Sequence, residues 1–139
     1  MKERVPQSTL MRSALAVREK AYAPYSRFAV GAAVEAGSGQ IYCGCNVENA
    51  SYGLTNCAER TAIFNAISAG ESQLLRLLVV ADTPEPVAPC GACLQVMQEF
   101  HIQEIILCNV AGNCKTVGMT ELLPYGFGPE QMEGVSKDE

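Results

Sequence analysis

The stretch that decides the fold is LLRLLVVA, residues 74–81, in which all side chains but that of Arg76 are apolar. A near-continuous apolar run of this length is typical of a strand that is buried on both faces of a sheet. Helical patterns lie on either side of it in the chain, over residues 57–69 and 90–100. The stretch therefore predicts an α/β fold in which helices cover a central sheet.

The remaining segments supply the other layers of this fold. We predict a first helix over residues 8–22, a hairpin of strands over 28–34 and 41–47, strands over 104–109 and 114–117, and a short helix over 120–123. Together these elements predict a three-layer α/β/α sandwich with a mixed sheet of about five strands. We expect residues 1–139 to form a single domain, with residues 129–139 as a flexible tail.

Composition narrows the classes of partner. The chain is 48% hydrophobic but has no apolar run near twenty residues, so we expect a cytoplasmic protein with no membrane span and no secretory leader. Ten basic and fifteen acidic residues give a net charge of -5. That balance opposes sequence-independent attraction to a phosphate backbone. We expect a small-molecule partner, no nucleic acid and no membrane.

Two cysteine-bearing segments carry the chemistry of the chain. They are NCAER, residues 56–60, and PCGAC, residues 89–93. Three thiolates, from Cys57, Cys90 and Cys93, leave the fourth position of tetrahedral zinc open for water, and Glu59 is an acid that can move a proton. Both segments start predicted helices, where unpaired N–H groups favour thiolate over thiol. The pattern predicts a catalytic zinc site.

Each half of this pattern has a simpler interpretation when it is taken alone. Glu59 could close a capping box with Asn56 as the helix N-cap, and an isolated C-x-x-C could be a thiol redox pair. The combination of C-x-E with P-C-x-x-C is instead the pattern of the zinc deaminases in its three-cysteine form. Two alternatives stay open. One is a non-catalytic zinc or redox module with Cys43 or Cys45 as a fourth ligand, and the other is a deaminase that acts on nucleic acid.

The other cysteines and the single histidine are expected to have no catalytic role. Seven cysteines in a chain without a predicted leader argue against a disulfide framework. We expect Cys43, Cys45, Cys108 and Cys114 to behave as small buried hydrophobic side chains. His101 is the single histidine of the chain, so a Ser-His or Cys-His catalytic pair would have to use it. We expect His101 to be a solvated residue at a helix end.

Several further stretches surround the cysteine segments. They are NVENASYGLTNCAERTA at residues 46–62, YSRF at 25–28, LLP at 122–124 and FGP at 127–129. With these stretches the chain resembles the cytidine deaminases of the small, homotetrameric class over about residues 8–130. The resemblance implies zinc-dependent hydrolytic deamination of free cytidine and deoxycytidine to uridine and deoxyuridine, with release of ammonia, in pyrimidine salvage. It also implies a homotetramer with shared active sites.

The resemblance implies a role for individual residues. Cys57, Cys90 and Cys93 would hold zinc, and Glu59 would be the catalytic proton shuttle. The implied substrate-binding residues are Asn46, Glu48, Ala50, Tyr52, Phe28, Ala58 and Phe127, of which Asn46 and Glu48 hold the ribose, Phe28 packs against the pyrimidine and Phe127 is lent by a neighbouring subunit.

The chemistry of these residue types fits the roles without the resemblance. An asparagine and a glutamate on alternate positions of an extended segment offer a donor and an acceptor for a diol. Simpler interpretations stay open for each of them. Asn46 could belong to a turn, Glu48 could be a solvated surface charge, and Phe28 and Phe127 could be ordinary core or interface residues.

The charge of the predicted site requires a nearby cation. Three thiolates exceed the charge of Zn²⁺ by one negative unit, which opposes the formation of hydroxide there. Arg60 could donate hydrogen bonds to ligand sulfurs and offset this charge, as the resemblance implies; the alternative is an ordinary surface arginine on a helix. Leu94 stands where many members of the resembling family have arginine. Because leucine has no charge, Arg60 has to offset more of the negative charge of the three thiolates.

Overall fold

The five predicted strands form one mixed sheet in the computed structural model, which describes residues 4–133. In chain order the elements are α1 (Gln7–Arg18), β1 (Val30–Ala36), β2 (Ile41–Cys45), a 3-10 turn (Tyr52–Leu54), α2 (Ala58–Ser68), β3 (Leu74–Ala81), α3 (Gly91–Glu99), β4 (Glu104–Asn109), β5 (Cys114–Gly118), α4 (Met119–Leu122) and α5 (Pro129–Glu133). The strand order is β2-β1-β3-β4-β5. Only the β3–β4 pair within this sheet is parallel.

Helices cover both faces of the sheet. Alternate residues of β3 separate the two hydrophobic cores, with Leu78 and Val80 facing α1 and Leu77 and Val79 facing the other layer. That second layer consists of α2 and α3, which also contact each other. The predicted three-layer α/β/α sandwich is therefore confirmed. Among residues 4–133, no helix is long and apolar enough to cross a bilayer.

A glycine lets the helix that follows the first cysteine segment lie close to the sheet. A Cβ at Gly44 of β2 would lie 2.3 Å from the main-chain nitrogen of Ala62 and 2.8 Å from the carbonyl oxygen of Ala58, both in α2. Any larger residue would push α2 away from β2, because backbone atoms cannot yield as a flexible side chain does. The position of Ala58 and its neighbours thus depends on this close contact.

The first helix ends four residues earlier than the predicted end at Tyr22. The chain leaves the helix after Arg18 because Tyr22 pairs with an extended segment. The N–H of Tyr22 donates to the carbonyl of Asn46 at 3.0 Å, and the N–H of Glu48 donates to the carbonyl of Tyr22 at 2.8 Å. Pro24 follows and also disfavours a helix. A contact distant in sequence therefore overrides the helical pattern.

Arg76, the charged residue within LLRLLVVA, is neutralised inside the fold. Its Nε donates to Glu35 Oε1 at 2.6 Å, and the two side chains are 8% and 1% exposed. The N–H of Val5 donates to Glu35 Oε2 at 2.9 Å, and Arg76 donates to the carbonyl of Val5. The buried pair therefore fixes the segment that precedes α1 against the sheet.

The expectation that no cysteines pair is wrong for two of them. Cys108 and Cys114 form a disulfide, because the antiparallel pairing of β4 with β5 places them directly opposite each other. Cys108 is buried and Cys114 is exposed, so Cys114 is also not the buried hydrophobic residue expected. Cys43 and Cys45 are free and half-buried. Spacing alone does not reveal the Cys108–Cys114 pair, since it depends on the strand register.

The predicted tail falls only partly within the described residues. Pro129–Glu133 forms the short helix α5, and residues 134–139 lie outside the described part of the chain. The flexibility of this tail stays a prediction.

Candidate active site

Both cysteine segments lie at the start of a helix, as predicted. Cys57 is the N-cap of α2 and Cys90 is the N-cap of α3, whose first turn contains Cys93. The helix predicted to begin at Cys57 therefore begins one residue later, at Ala58. Because Cys57 is the cap, the capping box of Asn56 with Glu59 is wrong. The side-chain amide of Asn56 instead donates to Thr61 Oγ1 at 3.0 Å.

The three sulfur atoms form a cluster of the right size for zinc. The Sγ atoms of Cys57 and Cys90 are 3.8 Å apart, and those of Cys90 and Cys93 are 3.6 Å apart. Tetrahedral zinc with bonds of about 2.3 Å needs ligand sulfurs roughly 3.8 Å apart. This is the one such group of metal-binding side chains among residues 4–133, and it contains neither Cys43 nor Cys45. The alternative with a fourth cysteine ligand therefore has no support.

The surroundings of Cys57 favour its thiolate. Hydrogen bonds from Cys93, Arg60 and Cys90 lower the pKa of Cys57 to about 5. Cys93 keeps its proton, because its hydrogen bond to Cys57 and its burial raise its pKa. Arg60 Nη2 lies 3.3 Å from Cys57 Sγ, and this bond raises the pKa of Arg60. The cluster thus favours a thiolate at Cys57 beside the permanent cation of Arg60, and a thiolate is the form that binds zinc.

Glu59 is a buried acid beside the sulfur cluster. It is 5% exposed, and its burial raises the pKa of its carboxyl to about 7, with a smaller contribution from the nearby thiolate of Cys57. A carboxyl that titrates near neutral pH can both accept and deliver a proton during a reaction. Desolvation is therefore the main physical cause of the acid–base character of Glu59.

A cavity of about 240 Å³ brings most of the predicted site residues together. The predicted residues that line it are Phe28, Asn46, Glu48, Cys57, Ala58, Glu59 and Cys90. The remaining lining residues are Ser26, Val30, Thr55, Val79, Val87 and Ala88. The cavity therefore brings together the acid, two of the three thiols and the polar pair with Phe28, whereas Cys93 does not line it.

The polar pair also organises the segment that carries Phe28. The side-chain amide of Asn46 accepts from the N–H of Val30 at 2.9 Å and donates to the carbonyl of Phe28 at 2.7 Å. Glu48 Oε1 accepts from the N–H of Ser26 at 3.1 Å, while the Ser26 hydroxyl donates to Oε2. These bonds, above all that from the hydroxyl, lower the pKa of Glu48. Asn46 and Glu48 thus both have specific partners within the chain, Asn46 as a buried side chain and Glu48 as a partly exposed one.

Three predicted substrate-binding residues lie outside this cavity. Tyr52 is 75% exposed and lines a neighbouring cavity of about 330 Å³, together with Glu48. Ala50 and Phe127 line neither cavity of the single chain. Phe127 is 55% exposed, and its carbonyl accepts a hydrogen bond from Gln95 Nε2 at 2.7 Å. A single chain thus leaves Ala50, Tyr52 and Phe127 on its surface.

Sequence reasoning missed the apolar wall of the cavity. Val87 and Ala88 lie directly before the second cysteine segment, and Val79 belongs to LLRLLVVA. The sequence signal for Val87 and Ala88 is that they lie two to three residues before Cys90, a predicted zinc ligand. Leu94 is buried in the core at 8% exposure, so it contributes packing. His101 is exposed and follows α3 with a positive φ of 57°, which confirms the expected solvated helix-end residue.

Comparisons with known proteins agree with this geometry. The family described as the cytidine and deoxycytidylate deaminase zinc-binding region matches residues 5–109. A cytidine deaminase of Halalkalibacterium halodurans is 50% identical over 125 residues, which cover 88% of this chain and 95% of the relative. One of Mycobacterium tuberculosis is 41% identical over 112 residues, covering 81% of this chain and 82% of the relative.

Solved structures show the same similarity. The crystal structure of cytidine deaminase from Burkholderia pseudomallei matches with a TM-score of 0.85 and 49% identity, over 88% of this chain and all of that one. That of cytidine deaminase from Mycobacterium tuberculosis matches with a TM-score of 0.77 and 40% identity, over 89% and 98% of the two chains. By its sequence, its fold and its three-cysteine cluster, the chain belongs to the cytidine and deoxycytidylate deaminase family.

Proposed function

We propose that this protein catalyses the zinc-dependent hydrolytic deamination of free cytidine and deoxycytidine to uridine and deoxyuridine, with release of ammonia, in pyrimidine salvage. The observation that carries the proposal is the placement of Glu59. Its buried carboxyl, with a pKa of about 7, faces the same cavity as the thiols of Cys57 and Cys90. The names of the relatives in Halalkalibacterium and Burkholderia support the same activity.

The chain supplies the ligands and the proton transfer for this reaction. Cys57, Cys90 and Cys93 would hold zinc, which as a Lewis acid makes a water molecule acidic enough to lose a proton near neutral pH. Glu59 accepts that proton and delivers one to the ring nitrogen beside the amino-bearing carbon, which makes this carbon electrophilic. After the hydroxyl has added, Glu59 takes the remaining proton of that hydroxyl and delivers it to the amino group, which leaves as ammonia while the carbonyl of the product forms. Cytidine and water thus become uridine and ammonia.

Other residues of the same cavity would hold the substrate. Phe28 would pack against the pyrimidine, while Asn46 and Glu48 bind the ribose hydroxyls with the hydrogen-bonding capacity that their main-chain partners leave free. Arg60 offsets the excess negative charge of three thiolates through its contact with Cys57. The hydrogen bonds that hold Asn46, Glu48 and Arg60 within the chain support the proposal, because they reduce the ordering entropy that binding would cost.

The charge around the cavity favours a nucleoside over a phosphorylated substrate. None of the residues that line the cavity is basic, and Glu48 lies at the expected sugar position. We expect cytidine and deoxycytidine to have similar kcat/KM values. Deoxycytidine monophosphate should be at least about 100-fold poorer, because a phosphate near a carboxylate costs several kcal/mol without a compensating cation.

This selectivity is tested by measuring kcat/KM for cytidine, deoxycytidine, deoxycytidine monophosphate and a cytosine-containing single-stranded oligonucleotide. Preference for the monophosphate or the oligonucleotide would contradict a nucleoside enzyme, whereas turnover of none of the four would contradict deaminase activity on these substrates.

We also propose a homotetramer in which Ala50, Tyr52 and Phe127 complete the active sites of neighbouring subunits. The support is their exposed position outside the cavity of their own chain. Mixing Phe127→Ala protein with Glu59→Gln protein, each nearly inactive alone, should restore activity on subunit exchange. A site with intact Glu59 can then borrow Phe127 from the other variant.

Light scattering of the wild type gives the mass of the assembly, and a tagged subunit shows that exchange has occurred. Proven exchange without recovered activity would contradict the sharing of sites, and a monomeric mass would contradict the tetramer.

A cytoplasmic location completes the proposal. Five of the cysteines are free thiols, three of which the site needs reduced, and this favours a reducing compartment. The Cys108–Cys114 disulfide, by contrast, is a bond more typical of an oxidising compartment. Fractionation of cells that places the protein outside the cytoplasm would contradict this location.

A further inference from the structure

We propose that Asn109 is a positioning residue that holds the loop of residues 82–89 in place at the active site. Asn109 is the last residue of β4, and Ala81, its partner in the parallel β3–β4 ladder, is the last residue of β3. The loop leaves the sheet directly after Ala81 and ends at the zinc ligand Cys90. Asn109 therefore lies where the loop departs from the sheet.

Every polar group of the Asn109 side chain is engaged. The residue is 2% exposed, its Nδ2 donates to the carbonyl of Pro84 at 3.0 Å, and its Oδ1 accepts from the N–H of Asn113 at 3.0 Å. Its own N–H donates to the carbonyl of Asn113 at 3.0 Å. The Cys108–Cys114 disulfide closes the same turn. The Oδ1 atom of Asn109 is thus held by the turn at Asn113, and its Nδ2 atom donates to the loop at Pro84.

The loop has little means of holding itself. Pro84, Pro86 and Pro89 lack an N–H, which leaves few main-chain donors for turns within the loop. Within the loop, the Thr83 hydroxyl donates a hydrogen bond to the carbonyl of Glu85 at 2.5 Å. Among residues 4–133, the side chain of Asn109 is the one from outside the loop that donates a hydrogen bond to the loop. The loop position consequently depends on this bond.

The loop carries one part of the active site and leads directly into another. Val87 and Ala88 form part of the cavity wall, and Cys90 both lines the cavity and caps α3. Loss of the Asn109 bond frees the carbonyl of Pro84, an exposed residue, from the buried amide that holds it and lets this segment shift. A shift of the wall weakens substrate binding, and a shift of Cys90 loosens the metal. The substrate effect rests on the proposed function, whereas the metal effect does not.

The test compares Asn109→Ala with two matched controls in the zinc-loaded protein. Asn113→Ala leaves both bonds of the turn intact, because Asn113 uses only main-chain groups, and Pro84→Ala retains the carbonyl that accepts from Asn109. We expect Asn109→Ala to release zinc to a chelator about tenfold faster and to raise the KM for cytidine by a similar factor, with a smaller change in kcat. Both controls should stay within about twofold of the wild type on these two readouts.

A purely structural role for Asn109 predicts a different result. The melting temperature would fall, while zinc release and KM at 25 °C stayed within about twofold of the wild type, and that result would overturn the proposal. If Asn109→Ala does not fold, Asn109→Asp at pH 8 replaces it, since it keeps the acceptor for Asn113 but loses the donor to Pro84. Unchanged zinc release in Asn109→Asp would also overturn the proposal. A wild type that binds zinc but ignores cytidine would contradict the proposed function and leave the zinc readout decisive here.

Discussion

The Glu59→Gln protein is expected to bind zinc as the wild type does and to deaminate cytidine at least about 1,000-fold more slowly, because glutamine cannot carry a proton. The three thiols do not depend on this side chain, so the metal content of the variant should be unchanged. Zinc per chain and kcat for cytidine are the two measurements. Near-normal turnover with zinc bound would contradict the role of Glu59.

The same variant is expected to be more stable once zinc has been removed. Burial raises the pKa of Glu59 from 4.5 to about 7, so between these pH values the folded state holds more protons than the unfolded state. By linkage, the contribution of Glu59 to the free energy of unfolding falls as pH rises through this window. At pH 8, above both pKa values, the wild type carries a cost of about 3 kcal/mol that glutamine avoids.

Denaturant unfolding of chelator-treated protein at pH 8 and at pH 5 measures this difference. We expect the advantage of Glu59→Gln to be large at pH 8 and to shrink strongly at pH 5. Equal stability of both proteins at pH 8 would show that burial of the carboxylate is not costly.

The Cys90→Ser protein is expected to lose most of its zinc and at least about 1,000-fold of its turnover, because a serine hydroxyl stays protonated and is a poor zinc ligand. Zinc should also no longer raise the melting temperature, since a metal stabilises only the state that binds it. Cys45→Ser is the matched control, because Cys45 is a free, half-buried cysteine outside the sulfur cluster. This control should keep both zinc and turnover.

The two serine variants separate the metal site from general cysteine chemistry. Metal analysis after dialysis and melting curves with and without zinc are the measurements. Full zinc content in Cys90→Ser, or equal loss in both variants, would contradict the assignment of Cys90 as a ligand.

The sequence predicted those features whose cause is local. LLRLLVVA is apolar enough to identify the buried strand. The two cysteine segments carry their metal-binding side chains at helix starts, where the local backbone restricts the positions that these side chains can take. The sulfur cluster of Cys57, Cys90 and Cys93 was therefore predictable before any coordinates. The presence of Glu59 in the same cavity was predicted from the combined cysteine pattern and not from helix geometry, because residues two apart do not share a face of a helix.

Features that depend on distant contacts were not predictable in this way. The early end of α1 is caused by the pairing of Tyr22 with residues 46–48, and the Cys108–Cys114 disulfide is caused by the register of β4 with β5. The bonds of Asn46 to the main chain around Phe28 likewise join segments that are far apart in sequence. A pattern within one segment contains no information about such partners.

The most direct test of the account is an ultraviolet assay of cytidine with the zinc-loaded protein, with the chelator-treated protein and with that protein after zinc has been restored. The account predicts loss of the cytidine absorbance with an equal amount of ammonia released by the zinc-loaded protein, little change after chelation, and recovery when zinc is returned. A folded protein with zinc bound that leaves cytidine unchanged would contradict it.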